Sequence, residues 1–194
     1  MLLSFPPNVV MPKPREMPAN VAQATLDAMT DAALQAQLSV ITEAHGPVGA
    51  FIHLHPAFDA DAQVLRFDER ERNVVKQVFL MAKYLQPALT AAAARGRAAF
   101  MTITRLDGAL GLGGTNDYSV IGGGLPGLTK SVSLEWEHVF CRAVDLDPVM
   151  TSEDAAQAIV AELHDPNRLI VEVGRGPNSR VTPVRSVQER MEHL

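Results

Sequence analysis

Apolar residues along the chain fall into two alternating patterns. Short, nearly continuous runs occur at VGAFIHL (48–54), which breakers bound, AAFMTIT (98–104), FCRAVDL (140–146) and RLIVEVG (168–174). Such runs read as strands buried on both faces. Between them, apolar residues recur every three or four positions, the spacing of one helical face. Val21, Leu26, Met29, Leu34, Leu38 and Ile41 predict a helix over Asn20 to Ala44, with an interruption near Thr30 left open. Val74, Val75, Val78, Phe79, Ala82 and Leu85 predict a second over Glu69 to Ala94. Its start carries the acidic pair Asp68 and Glu71, and Pro87 should kink or split it. Leu125, Leu128, Val132 and Trp136 mark a third helix, Leu125 to Glu137. Thr151, with Asp154 three residues on, caps a fourth over Glu153 to His164. Phe5 to Met11, among the prolines of residues 1–19, reads as an edge strand or an extended arm and not as a central strand. A last short strand is expected at Arg180 to Val184.

Strands alternating with helices imply an α/β fold, a parallel sheet of about four to five strands with helices on both faces. The expected division is a proline-rich arm (1–19), one α/β domain (20–185) and a polar tail (186–194). Ligands collect at the carboxyl ends of such strands. That places Leu54 to Ala57, Thr104 to Tyr118 and Asp145 to Thr151 around one crevice.

Composition narrows the function classes. A net charge of −5 with no run of Lys or Arg offers no footprint for nucleic acid. No apolar stretch reaches the ~20 residues of a membrane span, and the prolines of the first residues make a poor signal peptide. The single Cys141 excludes an intramolecular disulfide and points to a reducing cytoplasm; within FCRAV it reads as a buried, inert thiol.

The candidate chemistry centres on Met101 to Trp136, where a glycine-rich loop carries Tyr118. A phenol titrates near ~10, so it is a hydrogen-bond donor at neutral pH and a sluggish acid without a neighbouring cation. Thr104 offers a hydroxyl at the strand end, and Arg105 either pairs with Asp107 or binds an anion. His53 and His55 share one strand face, but no third ligand accompanies them, so no metal is expected. The cluster Gly122-Gly123-Gly124-Leu125-Pro126-Gly127 reads as a flexible loop and helix start rather than a phosphate cradle.

The pieces GAFIHLHP, VFLMAKYLQPAL, TRLDGALGL, GGLPGLTKSVSLEW, CRAVDLDP and EVG with SRVTPV carry a resemblance over roughly residues 48–185. Through them the chain resembles the short-chain dehydrogenase/reductase family, most closely the ketoreductase domains of polyketide and polyunsaturated fatty acid synthases. The resemblance implies a partial Rossmann-like sheet and NADPH-dependent reduction of a 3-oxoacyl thioester borne by an acyl carrier protein. It also implies neighbouring synthase domains as partners, and a homo-oligomer is possible. The family's proton-donating tyrosine falls on Tyr118, its lysine position on Gly122 and its serine position on Arg105, leaving Thr104 or Lys76 as makeshift partners. His55 and Pro56 would form crevice wall beside the cofactor, and Pro148 and Thr151 the loop that touches the nicotinamide. Family members begin with a strand, a GxGxxG turn and a helix that hold the pyrophosphate. The first 47 residues here contain one glycine, Gly46. NADPH is therefore expected to bind this chain weakly or not at all unless a complementing nucleotide-binding half is supplied. The alternative is a non-catalytic, reductase-like scaffold or docking module. In either case the strand at 48–54 would present an open apolar edge, to be covered by the N-terminal arm or by another chain.

Overall fold

The computed structural model describes residues 1–10, 17–56, 69–114 and 120–184. Its elements are β1 (Leu2–Ser4), β2 (Gln23–Thr25), α1 (Asp31–His45), β3 (Ala50–Leu54), α2 (Glu69–Ala93), β4 (Ala99–Thr104), α3 (Gly124–Glu135), β5 (Phe140–Leu146), α4 (Ser152–Leu163), β6 (Glu172–Gly176) and β7 (Ser179–Val181). A five-stranded sheet runs in the order β3-β4-β5-β6-β7, parallel except for the antiparallel β7. β1 and β2 form a separate parallel pair.

Every residue of β4 and β5 is buried, so alternation along the strands sorts side chains between two apolar layers rather than between core and water. Phe100 and Cys141 face one layer, with Leu34 of α1, Leu89 of α2 and Leu125, Val132 and Trp136 at α3. Ala99, Met101, Ile103, Phe140, Val144 and Leu146 face the other, against Ala155 and Ala158 of α4. The sheet is therefore flanked by helices on both faces, as expected.

Several elements depart from expectation. The helix expected over Asn20 to Ala44 begins only at Asp31. Thr30 is its N-cap, accepting the Ala33 N–H at 3.2 Å, and the residues before it form β2, whose pairing depends on β1 about twenty residues away. The arm's strand is Leu2–Ser4 rather than a piece starting at Phe5; Met11 lies outside the described residues, as does Asp68 of the acidic pair ahead of α2. α2 runs through Pro87 without splitting. Pro87 is exposed there, so the carbonyl it leaves without a helical N–H partner lies on a solvated face. β6 starts later than expected, because Asn167 and Leu169 form a turn in which the Asn167 Oδ1 accepts the Leu169 N–H at 3.0 Å.

The far side of the sheet is fastened by charge. Arg142 of β5 is fully buried and donates to Glu162 and, at 3.1 Å, to Asp165. Arg180 of β7 donates to the same two carboxylates, at 2.7 and 3.0 Å to Glu162 and 2.6 Å to Asp165. A buried cation left unpaired would be costly, so the two carboxylates are indispensable to Arg142.

Candidate functional site

The loops at the carboxyl ends of β4 and β5 are held together by one buried carboxylate. Asp145, fully buried, accepts the Thr104 hydroxyl at 2.9 Å and the N–H groups of Leu106 at 2.7 Å, Leu110 at 2.9 Å and Asp107 at 3.3 Å. Burial raises its pKa against the pull of these donors. Asp107 gathers the next turn, accepting N–H groups of Ala109, Gly111 and Gly113, each at 2.8 Å. Burial works to raise this carboxyl too, but the amides outweigh it and Asp107 sits below the usual carboxylate range. Leu110, held at φ 62, donates its N–H to Asp145, so a buried acceptor maintains a conformation that non-glycine residues avoid. The loop also lies tight on β6: a Cβ at Gly174 would collide with the Gly108 carbonyl oxygen.

A second cluster stands at the end of β3. His55 Nε2 lies 3.0 Å from Glu71 Oε1 of α2, and the His53 Nε2 lies 3.3 Å from His55 Nδ1. Burial, and then the neighbouring His55, push the His53 pKa down to about 3, so His53 is neutral. Gly122 packs on this cluster: a Cβ there would be 3.3 Å from both His55 Nε2 and Glu71 Oε1.

The residues singled out from the sequence are only partly brought together. Thr104 is buried on Asp145, turned into the protein rather than toward a ligand. Lys76 is exposed on α2. Its charge acts on Asp31 of α1, a carboxyl held low first by Tyr84 and Gln35 and only then by Lys83 and Lys76. The structure does not bring Lys76 to Thr104. Arg105 does not pair with Asp107; it donates to the Met150 carbonyl at 2.7 Å, tying the β4 loop to the β5 loop. Pro148 is exposed in the turn before α4, and Thr151 caps that helix, accepting the Asp154 N–H at 3.1 Å and donating to Asp154 Oδ2 at 2.7 Å. His55 and the half-buried Pro56 stand at the crevice. Tyr118 lies outside the described residues. Sequence reasoning missed Asp145 as the organiser and Glu71 as the partner of His55. An acid inside a strand run that is otherwise apolar but for Arg142 was the available signal for the first. Among the described residues no group of three His, Cys, Asp or Glu could hold a metal ion, and no helix is long and apolar enough to cross a membrane.

A dinucleotide pyrophosphate needs free N–H groups at a turn or helix start. At α3 the Gly124 and Leu125 N–H groups bond locally, to Ile121 O at 2.9 Å and Gly122 O at 3.1 Å. At that helix start, the glycine cluster resembling a fingerprint, the N–H groups of Gly124 and Leu125 are therefore spent within the chain.

No family model matches the chain. Among solved structures it is similar to a metagenomic short-chain oxidoreductase in complex with NADP, with TM-score 0.60 and 22% identity over 81% of this chain and 74% of that one. It is also similar to 3-ketoacyl-(acyl-carrier-protein) reductase from Brucella melitensis complexed with NADH, with TM-score 0.58 and 18% identity over 77% and 74%. The fold is that of the short-chain dehydrogenase/reductases. One subunit of the polyunsaturated fatty acid synthase of Thraustochytrium sp. is 36% identical over 115 residues, 56% of this chain. The chain spans only 4% of that synthase polypeptide. It is thus a short-chain-reductase-like unit with a stretch similar to part of a fatty acid synthase.

Proposed function

We propose that the chain is the substrate-facing part of an NADPH-dependent 3-oxoacyl-thioester reductase within a polyketide or fatty acid synthase-type system, acting in the cytoplasm. The domain proper is taken as residues 20–185, with the arm and tail outside it. The observation that carries the reading is the wiring of the 104–114 loop onto Asp145, which holds the start of the Tyr118 loop at the carboxyl ends of β4 and β5. Similarity to the synthase polypeptide supports it. Tyr118 is the proposed proton donor to the carbonyl oxygen, and Thr104 positions its loop through Asp145. Lys76 would have to turn inward to assist. His55, Pro56, Pro148 and Thr151 are the proposed walls of the cofactor crevice. Because Gly124 and Leu125 at the α3 start spend their N–H groups locally, NADPH affinity is assigned to a complementing nucleotide-binding half, and the substrate to an acyl carrier protein.

One observation favours the second reading, a non-catalytic scaffold. Gly122, at the family's lysine position, packs against His55 and Glu71, so no cation emerges there. The two readings separate in a reductase assay on an acetoacetyl thioester with NADPH, with and without neighbouring synthase domains. Turnover that Tyr118→Phe abolishes supports the reductase. Stable complexes with no turnover under any combination support the scaffold.

A further inference from the structure

We propose that the apolar cavity between β1 and β3 receives a β-strand from a partner domain, which joins the two sheets into one. The backbone groups of a strand point alternately to its two sides. On β3 the odd positions serve β4: the His55 N–H donates to Ile103 O at 2.9 Å, and Gly49 O accepts the Ala99 N–H at 3.2 Å. The N–H and C=O groups of Ala50, Ile52 and Leu54 therefore face an edge that no strand among the described residues pairs, where Ile52 and Leu54 are 38% and 58% exposed. On β1, the Leu2 N–H donates to Ala22 O at 2.8 Å and Ser4 O accepts the Leu26 N–H at 2.9 Å, so Leu3 faces away from β2.

These two edges line the same cavity, about 390 Å³ in volume, with Gln77 and Met81 of α2 behind it. Phe5, just past β1, meets His53 edge-on at 6.0 Å, which sets the carboxyl end of β1 beside that of β3. Among the described residues no Asp, Glu, Lys or Arg lines the space, and His53 is neutral. An uncharged occupant is indicated. Gln77 adds a polar demand: it is 1% exposed, and its Oε1 has no hydrogen-bond partner among the described residues. A buried acceptor left without a donor carries its full desolvation penalty, so a donor in the cavity is favoured. An aliphatic ligand would fill the volume and leave both edges without partners. An extended apolar segment of about five residues, at ~3.3 Å each, would fill it and offer N–H and C=O groups to both edges.

The inference rests on the proposed function only in expecting a complementing half, and it is read out without turnover. The probe is a lysine-flanked Val-Ile-Val-Ile-Val peptide added to the full chain, with amide hydrogen exchange followed by NMR. The peptide should slow exchange at Leu3, Ile52 and Leu54 by about tenfold or more, while decanoic acid should not. Ile52→Pro removes an N–H that β4 does not use, so its melting temperature should match the parent and its peptide protection should vanish. The proposal is overturned by unchanged exchange at saturating peptide, by equal protection from decanoic acid, or by protection that grows with protein concentration alone, since a second copy would then fill the gap. Protection without reductase turnover would keep the strand and sink the enzyme reading; turnover with partners but no protection would do the reverse.

Discussion

The Thr104 hydroxyl donates to Asp145 Oδ1 at 2.9 Å, and neither residue is more than 1% exposed. Thr104 is one of four donors to that carboxylate, so the pair is unequal. Thr104→Val should cost about 1 kcal/mol, whereas Asp145→Ala orphans several buried N–H groups and should cost about 3 kcal/mol or more. Urea unfolding monitored by far-UV circular dichroism measures both; equal losses would contradict this wiring.

Acid sensitivity follows from His53. Its pKa falls from 6.5 to about 3 in the fold, so below 6.5 the unfolded chain takes up a proton that the folded chain refuses. Stability should therefore drop as pH falls from 6.5 toward 3, by at most about 1.4 kcal/mol per pH unit from this group. Asp145 contributes with the opposite sign: its raised pKa favours the fold at low pH and costs stability as pH rises through the folded value. His53→Gln should flatten the slope between about pH 6 and 4 in urea titrations; an unchanged slope would remove His53 as its source.

Gly174→Ala tests the contact between loop and sheet. With the Gly108 carbonyl oxygen in the path of the new Cβ, backbone must move, and the cost should be about 2–3 kcal/mol. A melting temperature equal to the parent's would show that the loop yields freely.

Cys141 should be inert in the folded state. Burial pushes its thiol up to about 12, although Arg168 acts the other way, so thiolate is scarce at about pH 8. Ellman's reagent should label it only in denaturant; rapid labelling of the native protein would contradict its burial.

Much of this architecture is legible along the chain because its determinants are local. The runs at 98–104 and 140–146 form β4 and β5, the spacing of Leu125, Leu128 and Val132 forms α3, and Thr151 with Asp154 makes the expected cap. What the sequence conceals depends on distant partners. Gln23–Thr25 is too short to declare itself a strand and acquires that identity from Leu2–Ser4. Glu71 looks like a helix-opening acid until α2 packs beside β3 and sets it on His55. Asp145 looks like the end of a strand, and its role is visible only once the loop from Leu106 to Leu110 closes over it.

The ionic clamp of Arg142 and Arg180 on Glu162 and Asp165 leaves the five-stranded array asymmetric. Its β7 border is fastened to α4 and the turn after it by side-chain charge, through Arg180 on Glu162 and Asp165. The β3 border carries no arginine–carboxylate clamp among the described residues, only the contact of His55 with Glu71 at its carboxyl end. The two flanks therefore differ in how firmly side-chain charge ties them to the helices behind the sheet.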